Sequence, residues 1–258
     1  MSAADEWKAW SEARAEAVST PHGVLALVGT YWLDASDTEI PGVPGRWSRS
    51  GDSVRVTAAA ADGLAVAERP VDGELLLHPD THPEAAVAGY GEVRLIPIER
   101  EGELALRVFD PASEARARFA GISAYPYQPQ WSLPAVFTPF DSGDRTLTVP
   151  NADGRERGLD VAGLLSFELA GEARTLTVSR SGERLSGVIS DAGSGRETYR
   201  FRFVTLPAPD AQGRTVLDLN RAHLPPCAFA DHFVCPFPPP GNRLPVEVRA
   251  GEKAVLQR

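Results

Sequence analysis

The chain has 258 residues, 43% of them hydrophobic and 24% charged, the balance of an ordinary globular protein long enough for one large core or two smaller ones. A formal charge of −9 argues against a nucleic-acid backbone or an anionic membrane as the main partner, because both reward clustered lysine and arginine. No apolar run approaches the roughly 18 residues needed to cross a bilayer. The first residues, "MSAADEWKAWSEARAEAVSTP", lack the basic and apolar regions of a signal peptide. The expectation is a cytoplasmic protein with reduced thiols, which disfavours a Cys227–Cys235 disulfide. Only Lys8 and Lys253 are lysines and the other 24 basic residues are arginines. A Gly-, Ala- and Arg-rich genome explains that bias, and arginine-based recognition of a carboxylate or phosphate would also use it.

In chain order, Ser2–Val18 reads as the one long helix. Ser2 and Asp5 cap its first turn, and Trp7, Trp10, Ala13, Ala17 and Val18 form an apolar side. Thr20-Pro21 ends it, since the residue before proline is pushed out of the α region. The tryptophan stripe reads as core rather than as a ligand platform. Everything afterwards is short β pattern broken by turns. "GVLALVGTYWL" (23–33) is apolar enough to be buried, and residues 53–58, 91–98, 104–110, 115–122, 145–150 and 164–171 alternate with period two. The pattern continues over 174–181, 184–190, 197–204, 215–220 and 244–250, with glycine turns such as "SRSGE" and "DAGSGR" marking antiparallel hairpins.

This predicts a mainly β protein in three parts. An N-terminal helix (1–21) precedes a small β-sandwich (22–112), which is followed by a larger antiparallel β-barrel or sandwich (113–258). The boundary is placed near Asp110-Pro111, where the strand pattern breaks. Residues 22–112 have the strand count of a forkhead-associated-like sandwich. They lack the Arg…Ser-x-x-His pattern that reads phosphothreonine, which leaves a scaffold role. There is no G-x-S-x-G elbow, Walker loop or H-E-x-x-H. "GYGEVR" at Gly89 and "GSGRET" at Gly193 are followed by strand pattern, without the helix N-terminus a pyrophosphate needs. No cofactor is expected.

One segment concentrates chemistry. His223, Cys227, His232 and Cys235 form H-x3-C-x4-H-x2-C in a proline-rich stretch. Sulfur and imidazole at this spacing suit zinc. Cys227 as nucleophile would need His223 or His232 as base and a cation such as Arg243. Two small buried thiols packing a stiff loop is the third reading.

The stretch "LDLNRAHLPPCAFADHFVCPFPPPGNRLPVEVRAGEK" (217–253) resembles the C-terminal signature of bacterial domain-of-unknown-function family 1684. "FAGISAYPYQPQWSLPAVFTPF" (119–140), "DAGSGRETYRFRFV" (191–204) and "PHGVLALVGTYWLDASDTEI" (21–40) are similar to it as well. The resemblance implies no established activity. The family pattern carries tyrosine at the places of His223 and His232 and asparagine at that of Leu224, so zinc loses two of its four ligands and no metal is expected. Some members are exported lipoproteins in which the two cysteines would form a clasp. In this chain the resemblance implies neighbouring, reduced thiols in a stiff loop.

The polar residues inside the signature are Asp191, Thr198, Tyr199, Arg202, Asp218, Asn220, Cys227, Asn242, Arg243 and Glu252. Alternation puts Asp218 and Asn220 on one strand face, where Arg202 or Arg243 would satisfy them. It also puts Tyr199, Phe201 and Phe203 opposite Thr198, Arg200 and Arg202. Two readings follow for Asp191, Tyr199, Arg202, Asp218, Asn220, Cys227, Asn242 and Arg243. They are either the polar lining of a small-molecule pocket or a dry network fastening the C-terminal loop. The functional expectations are a small polar or aromatic ligand bound in the C-terminal β unit, a hydrolase or transferase using Asp191, Asp218 or Cys227 with Tyr199 and the arginines, or a protein-interaction module in the sandwich.

Overall fold

The computed structural model describes residues 2–141, 143 and 145–258. The protein is mainly β with one long helix, α1 (Ala3–Ser19), and divides into two compact units, Ala17–Arg118 and a second formed by Met1–Glu16 with Phe119–Arg258. Ser2 and Asp5 cap α1 reciprocally. Ser2 Oγ accepts the Asp5 amide N–H at 3.2 Å, and the Asp5 carboxylate accepts the Ser2 N–H at 3.0 Å. The Ser2 hydroxyl, donating to the Asp5 carboxylate at 2.8 Å, and then the Ser2 N–H hold that carboxyl below its ordinary range. Within the helix Trp7, Trp10 and Arg14 are half-buried while Ala13 and Ala17 are exposed. The covered stripe therefore includes an arginine, which an apolar periodicity does not reveal.

The first unit is a sandwich. Strands β1 (Leu27–Leu33), β2 (Arg46–Ser50), β3 (Ser53–Ala58), β4 (Ala65–Val66), β5 (Arg69–Pro70), β6 (Gly73–Leu77), β7 (Ala88–Tyr90), β8 (Val93–Arg100) and β9 (Glu103–Phe109) form two antiparallel sheets. Their orders are β1-β9-β8-β7-β4-β5 and β2-β3-β6. Alternation turns Trp47, Val54, Val56 and Leu77 of the smaller sheet and Leu95, Leu104 and Leu106 of the larger into one core. Trp47 is fully buried, its indole N–H donating to the Pro44 carbonyl at 3.0 Å.

A short helix α2 (Glu114–Arg118) ends the first unit, and the second resumes with β10 (Phe119–Ala124). Then come β11 (Ser132–Pro139), β12 (Arg145–Pro150), β13 (Glu156–Val161), β14 (Gly163–Leu169), β15 (Glu172–Ser181), β16 (Arg184–Ile189), β17 (Arg202–Leu206), β18 (Arg214–Asp218) and β19 (Glu252–Gln257). A six-stranded antiparallel sheet of order β17-β16-β15-β14-β11-β18 curls into a half-barrel around Phe137, Leu165, Leu176, Leu185, Val204 and Leu217. Its edge strands β17 and β18 lie alongside one another without a ladder. A β12-β13 hairpin and a β10-β19 pair complete the unit.

Four expected strands are replaced or shortened. Residues 115–122 begin as α2, because Ser113 accepts the Ala117 N–H and starts a helical turn. The run 197–204 is strand only from Arg202, since a turn tied by Gly193 and Gly195 occupies the preceding residues. The run 215–220 ends at Asp218, whose carboxylate caps a 3-10 turn over Leu219–Arg221. The segment 244–250 has no ladder, its carbonyls being taken by a side chain as described below.

Candidate functional site

The structure places seven of the eight singled-out residues in a buried fastening network, a thiol cluster and a cleft, and leaves Arg243 outside all three. The network is centred on Arg202, fully buried at the start of β17, whose Nη2 donates to Asp191 Oδ2 at 2.7 Å. The same guanidinium donates to the carbonyls of Val248 (3.2 Å), Glu252 (3.3 Å) and Ala250. Asp191 Oδ1 accepts the Gly193 N–H at 2.7 Å, which closes the "DAGSG" turn. Burial pulls the Arg202 pKa down and the Asp191 carboxylate opposes that shift.

Asn242 is also fully buried. It accepts the Thr177 N–H (2.7 Å) and donates to the carbonyls of Thr177 (2.8 Å) and Val188 (2.9 Å). The β15-β16 ladder ends at Ser179–Ser186, so the amide replaces the next rungs where the strands splay. Asn220 acts likewise on Gln128, accepting its N–H and donating to its carbonyl, both at 3.0 Å. The Trp7 indole donates to the Asn220 carbonyl at 2.8 Å.

Glu252 is a member that the periodicity did not single out with a partner. It accepts Arg14 Nε at 3.2 Å and the Leu224 N–H at 2.7 Å. Burial raises the Glu252 pKa, and Arg14 opposes the rise. Gly251 at φ +78 permits this approach, since a Cβ there would stand 2.4 Å from the Ala222 carbonyl oxygen. Arg243 joins none of these groups; it is exposed beside Ser190.

The thiol cluster lies under the proline-rich loop. Cys227 and Cys235 are buried thiols not joined in a disulfide, and the Cys227 N–H donates to Cys235 Sγ at 3.4 Å. Tyr199 Oη is 3.1 Å from the Cys227 carbonyl and 3.6 Å from its Sγ. Arg200 spans the rings of Phe237, Tyr199 and Phe201 at 4.9, 5.5 and 5.7 Å, so it shares the aromatic side that strict alternation denied it. Hydrogen bonding to Cys235, then to Tyr199, with the Arg200 charge, brings the Cys227 thiol down to about 7. Burial and Cys227 push Tyr199 up to about 12. Of the two histidines weighed as zinc ligands, His223 packs edge-on against Phe203, with Nδ1 3.2 Å from the Arg221 carbonyl, and His232 is exposed.

The cleft has a volume of about 630 Å³ and opens beside the unladdered β17-β18 seam. Its charged lining is Arg14, Arg184, Arg221, Glu183 and Asp218, with Trp10 and His223 beside them. Asp218 is the one member of the original eight there, and its partner is Arg221 at 3.4 Å rather than Arg202 or Arg243. The arginines escaped the sequence reading because helix α1, the β15-β16 turn and the 3-10 turn bring them together from three distant segments.

Breaking the buried pair with Asp191→Ala should cost roughly 3–5 kcal/mol in urea unfolding, since Arg202 would keep its charge without a counterion. His223 carries a pH dependence. Burial first and Arg14 second lower its pKa from 6.5 to about 4. The unfolded chain thus binds the extra proton between those values, and stability present above pH 6.5 is lost as pH falls toward 4. The loss is at most about 3 kcal/mol, and His223→Phe should flatten that part of the stability–pH curve.

No curated protein matches the chain. A solution NMR structure of an uncharacterized protein of Haloarcula marismortui is similar at 30% identity, over 52% of this chain and 77% of that one, with a TM-score of 0.44. The family model described as "Protein of unknown function (DUF1684)" matches residues 117–253, which contain the network, the thiol cluster and most of the cleft. The chain belongs to the DUF1684 family.

Proposed function

We propose that the second unit binds a small anionic molecule with an apolar portion in the cleft beside the β17-β18 seam. The observation that carries this reading is the convergence of Arg14, Arg184 and Arg221 on one concavity of a chain whose net charge is −9. Arg14 is engaged by Glu252 beneath it. Arg184 is exposed, and its guanidinium has no acidic partner among the described residues. Arg221 Nε is buried and faces Asp218 Oδ2 at 3.4 Å without a hydrogen bond, a loose ion pair that leaves the guanidinium able to serve a carboxylate or phosphate oxygen as well. Thr205 and His223 line both this cleft and an apolar recess of about 260 Å³ with Val188, Phe203, Pro236 and Pro239. His223, neutral above a pKa of about 4, would accept or donate one hydrogen bond without adding charge. The buried network supports a role in holding this cleft rather than in touching the ligand.

Native mass spectrometry of gently purified protein tests the proposal. The expected result is a small anionic adduct on the wild type that Arg184→Ala and Arg221→Ala lose. Arg184→Ala, an exposed substitution, should change stability by no more than about 0.5 kcal/mol. Wild type that carries no adduct and is not stabilised by small carboxylates or phosphates would overturn it.

A second reading, thiol chemistry at Cys227, is favoured by its pKa of about 7 beside Tyr199 and Arg200. It ranks below the first because Cys227 is only 4% exposed. Here alkylation of Cys227 in the folded protein should reach half its maximal rate near pH 7, and Tyr199→Phe should move that midpoint upward. A midpoint in the ordinary thiol range would remove this reading.

A further inference from the structure

The sandwich holds a group of side chains that no part of the preceding site uses. We propose that His78, His82 and Glu84, on the loop following β6, bind a divalent transition-metal cation of the zinc class.

The geometry follows from the register of the small sheet. Strand β3 pairs with β6 so that Val54 faces Leu77, which sets Ser53 opposite His78 at the next position. Ser53 is buried, and its Oγ lies 3.1 Å from His78 Nδ1 and 3.3 Å from Asp52 Oδ1. With the hydroxyl proton turned to Asp52, Ser53 accepts from His78 Nδ1–H, and the Nε2 lone pair of His78 is left for a cation. A carboxylate–hydroxyl–imidazole chain of this kind fixes ring orientation and raises ligand basicity at metal sites.

The loop then returns on itself. His82 N–H bonds the Pro79 carbonyl at 2.9 Å, Ala85 N–H bonds that of His82 at 3.0 Å, and Ala86 N–H that of His78 at 3.3 Å. This turn stacks the two imidazoles at 3.9 Å between centroids with 17° between planes. It also brings one ligating atom of His78, His82 and Glu84 within 4.8 Å of the others. His82 Nδ1 accepts the Glu84 amide N–H at 3.0 Å, a bond that a cation at Nδ1 would replace.

Neighbouring donors in a tetrahedral zinc site stand about 3.3 Å apart, given bonds of about 2.0 Å. The loop therefore needs to tighten by roughly 1–1.5 Å. Glu84 is exposed and both histidines are half-buried, so the movement displaces little packing. Two imidazoles and a carboxylate without thiolate suit zinc, cobalt or nickel rather than calcium, magnesium or copper(I). Three protein ligands leave a coordination position open to water, the arrangement of a reactive rather than a closed structural site.

Calorimetric titration of the chelator-stripped full chain with zinc sulfate tests this assignment. The expected result is one equivalent bound per chain with a micromolar Kd, weakened roughly tenfold or more by His82→Ala or Glu84→Ala and roughly 10–100-fold by Ser53→Ala. The double substitution Cys227→Ser, Cys235→Ser should leave the titration unchanged, and cobalt(II) bound in place of zinc should show no thiolate charge-transfer band. His82 and Glu84 lie on the loop surface, so their variants report on the site even if His78→Ala fails to fold. Absence of stoichiometric binding, or binding lost in the cysteine variant and retained in His82→Ala, would overturn the proposal.

Discussion

The second unit depends on one buried ion pair, Arg202 with Asp191. The segment from Val246 to Gly251 is almost without ladder partners, so its inward carbonyls need donors. Arg202 supplies them to Val248, Ala250 and Glu252, while Asp191 neutralises the charge that burial would otherwise forbid. A hydrophobic pair could fill the same volume, and buried ion pairs are often no more stable than such replacements. What the apolar pair could not do is satisfy three carbonyls of a passing chain. The guanidinium thus stands in for a missing strand.

The two asparagines extend the same device. Asn242 completes the β15-β16 splay and Asn220 completes the backbone at Gln128, each by presenting a side-chain amide where a peptide group is missing. Arg14 and Glu252 add a further pair, partly buried, that ties α1 at Arg14 to the C-terminal segment. These bonds pair inward backbone groups of an irregular chain that lies against the half-barrel. The β17-β18 seam is unladdered, and the charged cleft opens beside it.

His223 joins the two regions of this unit. Its ring packs on Phe203, its backbone bridges to the same residue, and its edge lines both the charged cleft and the apolar recess. Burial and the nearby Arg14 keep it neutral, so the cleft's positive character comes from arginines alone. The thiol cluster sits apart, roofed by the proline-rich loop and braced by Tyr199.

Local sequence determined the class of this protein. Period-two alternation and glycine turns specify short antiparallel strands, and the Ser2–Asp5 box with Thr20-Pro21 brackets the single long helix. The family-like signature also includes Asp191, Arg202, Asn220 and Asn242 among its polar residues, and all four are buried. It could not assign their partners. Asp218 was paired on paper with Arg202 or Arg243, but a capped 3-10 turn gives it Arg221, and Arg202 reaches back to Asp191. Nor could it assemble Arg14, Arg184 and Arg221, or align Ser53 with His78, because those meetings depend on strand order and register across the sheets. Periodicity records which side of a strand avoids water. Which distant charge lies across from it is decided only when the sheets curl and pack.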